Sequence, residues 1–172
     1  MSRYLNSRYA SLEAYVPGEQ PKGEFIKLNA NESPYPPSEG VLAAVSGREG
    51  SMLNMYPDAV CRALDSALAE ALGVESENIV CSNSSDDILN FCFMAFGERG
   101  ALFPEISYGF YEVFCVLHGI EEKRAPMHED FTLRAEDFYD AHRMVVIANP
   151  NAQTGVELPF DAIESIVRHN TD

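Results

Sequence analysis

No run of this 172-residue sequence approaches the roughly 18 consecutive apolar residues that a membrane-spanning helix needs. Its opening residues, MSRYLNSRYASLEAY, also contain no apolar segment of the kind a secretory signal carries. A membrane location is therefore not expected, and a cytoplasmic one is. Positive charge is scarce: 12 Lys and Arg stand against 27 Asp and Glu, leaving a formal charge of -15. Such a field repels phosphate backbones and anionic lipid surfaces, so neither nucleic acid nor membrane is an expected partner. Cysteine is sparse and unpatterned. Cys61, Cys81, Cys92 and Cys115 form no C-x-x-C motif, and His118, His128, His142 and His169 show no i, i+4 pairing. No metal site is expected, and the cysteines read as reduced thiols packed among apolar side chains. Internal repeats and low-complexity segments are missing as well.

What is present is ordinary globular composition, 46% apolar with 11 Gly and 10 Pro, in a chain long enough to bury a sizeable core. Residues 1–37 read as an arm and linker, and residues 38–172 as the partial large domain of an α/β protein. The arm ends in Pro17-Gly18-Glu19-Gln20-Pro21-Lys22-Gly23, and a short strand is expected at Phe25-Ile26-Lys27-Leu28. Pro34, Pro36 and Pro37 then exclude a helix until about Ser38.

Beyond them the apolar positions settle into alternating periods. Val60, Leu64, Leu68 and Leu72 recur every four residues, which predicts an amphipathic helix from about Ala59 that stops at Gly73. A strand at Ile79-Val80-Cys81, a polar turn and a helix over 86–96 follow. Further strands are expected at 101–103, 121–125 and 144–148, with helices at 108–117, 135–141 and 160–169. Strands alternating with helices argue for a three-layer α/β/α fold with a mostly parallel sheet.

In such sheets the ligand lies beyond the carboxyl ends of the strands, which directs attention to three loops. Ser82-Asn83-Ser84-Ser85-Asp86-Asp87 opens a helix, with Ser84 or Ser85 as the N-cap and Asp87 placed for a capping box. Its amides and hydroxyls, at the positive end of a helix dipole, suit a phosphate, although a plain cap has the same sequence. Pro104-Glu105-Ile106-Ser107-Tyr108-Gly109-Phe110-Tyr111 offers an aromatic on which a flat cofactor could stack; ordinary helix packing is the alternative. Asn149-Pro150-Asn151-Ala152-Gln153-Thr154-Gly155 presents amide side chains to a ligand, or is simply a turn.

Taken in order, these segments resemble a known family. Ala14-Tyr15-Val16-Pro17-Gly18-Glu19-Gln20-Pro21, the run from Ile26 through Asn29-Ala30-Asn31-Glu32-Ser33 to Pro37, Tyr56-Pro57-Asp58 and the three loops above are similar to the fold type I pyridoxal-phosphate-dependent aminotransferases. Within these, they most resemble the histidinol-phosphate aminotransferases. The resemblance covers nearly the whole chain.

It implies pyridoxal 5'-phosphate as cofactor, held at its phosphate by Ser85 and Asp86 and stacked on by Tyr108. It further implies that Tyr56 reaches the cofactor of a partner subunit in a homodimer, and that Tyr15 and Asn31 line the substrate site. The implied reaction is amino transfer between glutamate and imidazole-acetol phosphate. Where the family has a second Asn that meets the ring hydroxyl, this chain has Ala152, followed by Gln153 in place of proline. Asn151 or Gln153 then remains for that contact. Ser84 stands in place of a glycine. The family's Schiff-base lysine and pyridinium-pairing acid have no counterpart here, since Lys22, Lys27 and Lys123 lie in no matching motif. The expectation is an N-terminal portion that is inactive by itself, with no catalytic residue in the chain. Other enzymes of the fold, such as aromatic aminotransferases and phosphoamino-acid decarboxylases, share these motifs. A non-catalytic phosphate-binding module and a truncated or frameshifted reading frame are the competing readings.

Overall fold

The computed structural model describes residues 6, 9, 23, 26–28, 31–47 and 50–171. The chain divides into two compact units, with a boundary between Cys81 and Ser82.

The first unit is helical. Ser38, directly after the prolines, caps α1 (Glu39–Ser46), its Oγ accepting from the Val41 amide. In α2 (Arg62–Leu72) the start falls three residues later than the apolar spacing suggests. Asp58 is the reason. Its carboxylate accepts from the amides of Val60 and Arg62 and pairs with the Arg62 guanidinium at 3.1 Å, while Cys61 takes a left-handed conformation at φ 47°. The guanidinium also holds the Asp58 carboxyl below its usual range. Gly73 ends α2 at φ 69°, its amide donating to Ala69.

Two expected strands are not formed. Among the described residues neither Ile26–Leu28 nor Ile79–Cys81 joins a sheet, and Ile26 and Leu28 are almost fully exposed. An apolar run supplies side chains for a strand, but the ladder needs a neighbouring edge, and no described strand offers one to either segment.

The second unit carries the sheet. It comprises α3 (Ser85–Phe96), β1 (Ala101–Pro104), α4 (Phe110–His118), β2 (Glu122–Ala125), β3 (Met144–Val145) and α5 (Phe160–Arg168). The strand order is β2-β1-β3 and all pairs are parallel, with Ala101 opposite both Glu122 and Met144. β3 is shorter than the expected 144–148, although the Val146 amide still reaches the Leu102 carbonyl. The helix expected at 135–141 is a single 3-10 turn, Ala135–Phe138. Arg134 and Asp137 pair across it at 2.7 Å, Tyr139 ends it in an extended conformation, and Asp140 and His142 follow at positive φ.

Every residue of β1 is buried, and its alternation builds two cores. Ala101 and Phe103 join Phe93 of α3 and Tyr111, Phe114 and Cys115 of α4 on one face. Leu102 joins Ala125, Phe138, Leu158 and Ile166 of α5 on the other. Helices thus cover both faces of a parallel sheet, the three-layer arrangement that the alternation predicts. Burial pushes the Cys115 thiol up to about 11. Gly100, at φ 101°, leads into β1. A Cβ there would come within 2.9 Å of the Glu121 carbonyl and 3.1 Å of Arg143 Nη1, so the close approach of chains at this point requires glycine.

Candidate functional site

Because the three strands run the same way, the loops after β1 and β3 leave one edge of the sheet, and the start of α3 meets the first of them there to form a rim within the second unit. At α3 the N-cap is Ser84, at φ 83° and ψ 163°, a region that glycine occupies without strain and other residues seldom do. No side chain caps the helix, so the expected capping box with Asp87 does not form. The first-turn amides, which have no acceptor within a helix, are left to a ligand or to water. Ser85 is exposed beside them and Asp86 is half-buried.

The carboxylate of Asp86 turns toward the loop after β1, where the Tyr108 hydroxyl donates to its Oδ1 at 2.9 Å. This contact brings two of the expected cofactor residues together across 22 positions of sequence. The Tyr108 ring stacks on Phe110, with centroids 5.5 Å apart and planes at 17°, and packs at right angles to Tyr111. Desolvation raises the Tyr111 phenol above its usual value.

Asn151 joins the third loop to the second. It is 3% exposed, and its Nδ2 donates to the Ile106 carbonyl at 2.8 Å while its Oδ1 accepts from the Gln153 amide at 3.0 Å. Asn149 closes the same loop from both sides, donating to the Leu158 carbonyl at 3.1 Å and accepting from the Leu158 amide at 2.7 Å. This clamp was invisible to spacing, since an Asn in a turn looks the same whether it is solvated or bonded. Ala152 and Gln153 are exposed at the loop's tip.

The remaining expected residues lie in the first unit or outside the description. Tyr56 is fully exposed there, and Asn31 is exposed with a left-handed backbone at φ 51°. Tyr15 is outside the described residues. A cleft of about 310 Å³ opens between β3 and α5, but its walls are mostly aliphatic, and its two amides, Asn149 and Asn170, donate to backbone carbonyls. Among the described residues no helix is long and apolar enough to cross a membrane.

The parallel sheet with helices on both faces defines a doubly wound α/β protein. Comparison with known proteins narrows this class. The chain belongs to the aminotransferase class I and II family, whose model matches residues 23–172. A histidinol-phosphate aminotransferase of Brachyspira hyodysenteriae is 42% identical across 100% of this chain and 49% of its own length. Another, from Hydrogenovibrio crunogenus, is 43% identical across 99% of this chain and 49% of its own. The chain thus spans about half the length of the curated relatives it matches. The fold is that of a solved Burkholderia pseudomallei protein described as an aminotransferase, with TM-score 0.72 and 20% identity over 81% of this chain and 44% of that one. A solved Erwinia carotovora protein described as a histidinol-phosphate aminotransferase gives TM-score 0.65 and 22% identity over 76% of this chain and 40% of its own.

Proposed function

We propose that this chain is the cofactor-phosphate-binding portion of a pyridoxal-phosphate-dependent aminotransferase that moves an amino group between glutamate and imidazole-acetol phosphate in histidine biosynthesis. The observation that carries the proposal is the pairing of an uncapped α3 N-terminus with Tyr108 at one rim, in a chain 42% identical throughout to a histidinol-phosphate aminotransferase. The residues present suit the cofactor's phosphate and one ring face. The amides of Ser85 and Asp86 receive the phosphate, aided by the Ser85 hydroxyl and the helix dipole. Tyr108 orients the ring by stacking. Asn151, its amide committed to Ile106 and Gln153, holds the two loops in place and keeps one N–H for a ligand. The Ala152 side chain has no polar group, so the remaining N–H of Asn151 or the exposed side-chain amide of Gln153 is left for the contact to the ring hydroxyl.

Pyridoxal phosphate, when bound, supplies the electron sink for amino transfer. Among the described residues of the second unit the one lysine, Lys123, lies exposed on β2, and no lysine joins the rim that could move protons at the substrate carbon; Lys27 pairs with Glu32 at 2.9 Å in the first unit, and Lys22 is outside the described residues. The chain alone therefore binds the cofactor without turning over. In the parent enzyme, a cytoplasmic homodimer, Tyr56 reaches the partner subunit's cofactor phosphate, while Tyr15 and Asn31 line the substrate site.

The test is a titration of the purified chain with pyridoxal phosphate followed by absorbance. It is joined to borohydride reduction with peptide mapping and to an assay of glutamate-dependent amino transfer to imidazole-acetol phosphate. Saturable binding with neither a stoichiometric lysine adduct nor turnover is expected. Absence of binding overturns the site. Steady turnover with one labelled lysine overturns the claim that this portion is inactive by itself.

A further inference from the structure

We propose that Asp86 is a positioning residue, whose side chain fixes the ring of Tyr108 while its backbone amide belongs to the anion-binding helix start. The inference rests on the cofactor reading above and concerns a contact that neither spacing nor resemblance specifies. A carboxylate in the first turn of a helix ordinarily complements the dipole, and beside a bound phosphate it would repel the ligand. Here the Tyr108 hydroxyl donates to Asp86 Oδ1 at 2.9 Å in a half-buried setting, which turns the charge toward the loop after β1 and shares it with a phenolic proton.

The same bond restrains the ring. A tyrosine side chain has two torsions, and tethering its far end to a helix leaves little freedom in either. Phe110 stacks on the ring at 5.5 Å and Tyr111 packs at right angles to it at 5.8 Å, so aromatic packing and the hydroxyl bond together set the plane of the ring. Asp86 thereby joins two tasks: the residue that helps to receive the phosphate also sets the angle at which the ring is met. Phosphate hold and ring stacking then act as one unit, and perturbing either end of the bond gives the same loss.

The experiment is a double-mutant cycle on the full chain, using pyridoxal phosphate itself as the probe. Dissociation constants are read by absorbance, and the fixed orientation of the bound ring by its induced circular dichroism. D86A and Y108F are each expected to weaken binding about ten- to hundredfold, the effect of losing one charge-assisted hydrogen bond. The D86A/Y108F chain should be no weaker than the poorer single variant, and its induced signal at saturation should be lowered as in D86A. D86N, whose amide oxygen still accepts from the phenol, should recover most of the affinity and of the signal. Multiplying effects, or a D86A chain with wild-type affinity and signal, overturn the proposal.

If the unaltered chain binds no pyridoxal phosphate, the cofactor reading fails. The positioning contact is then decided without cofactor by fluorotyrosine NMR, with the Tyr108 signal assigned through Y108F. D86A must move that signal and D86N must restore it; an unmoved signal refutes the contact.

Discussion

Replacing Asn151 with alanine separates a residue that holds the rim together from one that serves only a ligand. Asn151 is 3% exposed and makes two side-chain bonds, to the Ile106 carbonyl at 2.8 Å and from the Gln153 amide at 3.0 Å. Each bond is worth about 1 kcal/mol net. Ile106 and Gln153 are themselves exposed, so their freed groups can turn to water, and the desolvation penalty of an orphaned group is largely avoided. The expected loss is therefore about 2 kcal/mol, at the lower end for two buried bonds. In a unit of this size it corresponds to a fall in melting temperature of roughly 8–16 °C.

The measurement is equilibrium urea unfolding of the cofactor-free chain by circular dichroism, in which the midpoint should fall while the slope stays constant. Asn151→Asp gives an internal check on the geometry. One carboxylate oxygen can still accept from Gln153, but the other faces the Ile106 carbonyl, so N151D should be less stable than N151A at neutral pH. That contact raises the folded-state pKa of the introduced acid. Its bond to Ile106 is present below the unfolded value of about 3.9 and is lost as pH rises through the folded one, so N151D should gain on N151A in acid. A cofactor-free stability of N151A within about 0.5 kcal/mol of the unaltered chain would refute the reasoning and leave Asn151 as a ligand contact alone.

Three further outcomes follow from named contacts. Ser84→Gly should stabilise the chain by about 1 kcal/mol in the same urea assay, because it removes the cost of holding a side chain at φ 83° and ψ 163°; a loss would mean that the hydroxyl does more than the backbone suggests. Gly100→Ala should destabilise by about 2 kcal/mol or more, since its Cβ meets the Glu121 carbonyl at 2.9 Å at a residue with φ 101°; a neutral result would show that the strand entrance is loose. Cys115, its thiol raised to about 11 from 9.0, should be the slowest of the four cysteines to react with iodoacetamide at pH 8. Its protonated form also favours folding below pH 9 and loses that advantage as pH climbs through 11, so Cys115→Ala should flatten the decline in stability over that window.

How far the sequence predicts these features depends on whether a residue's environment is local. α2, α3 and α5 were legible because an amphipathic period records which of a helix's own faces is buried, and the glycine after α2 marks its stop. Ile79-Val80-Cys81 reads as strongly as Ala101-Leu102-Phe103, yet only the latter has edges on both sides to pair with; a short apolar run carries no information about its partner. The turn at Ala135 reads as a helix because nothing in the sequence marks Tyr139 as extended or Asp140 and His142 as adopting positive φ. At the rim, the loops were predictable from the rule that ligands gather at strand ends. The Asp86–Tyr108 bond spans 22 residues, and Asn151 differs from a solvated turn residue only through Ile106, 45 positions away. Neither could be read from composition or period. The position of Ser84 is marked in the sequence only by the glycine that the resemblance puts there; its φ of 83° is not.

The two cores on either side of β1 also constrain which mistakes the folding chain can make. In a sheet with one wet face, a strand that slips by one residue exchanges buried for solvated side chains, and the error is penalised on one side alone. A slip of β1 would instead drive Leu102 into the space shaped for Phe103 among Phe93, Tyr111 and Phe114, and Phe103 toward Phe138 and Ile166. Both layers would be misfilled at once, one with too little volume and the other with too much. Four residues therefore act as a keyed part that seats in only one way, and the rim loops that follow β1 and β3 inherit their alignment from it.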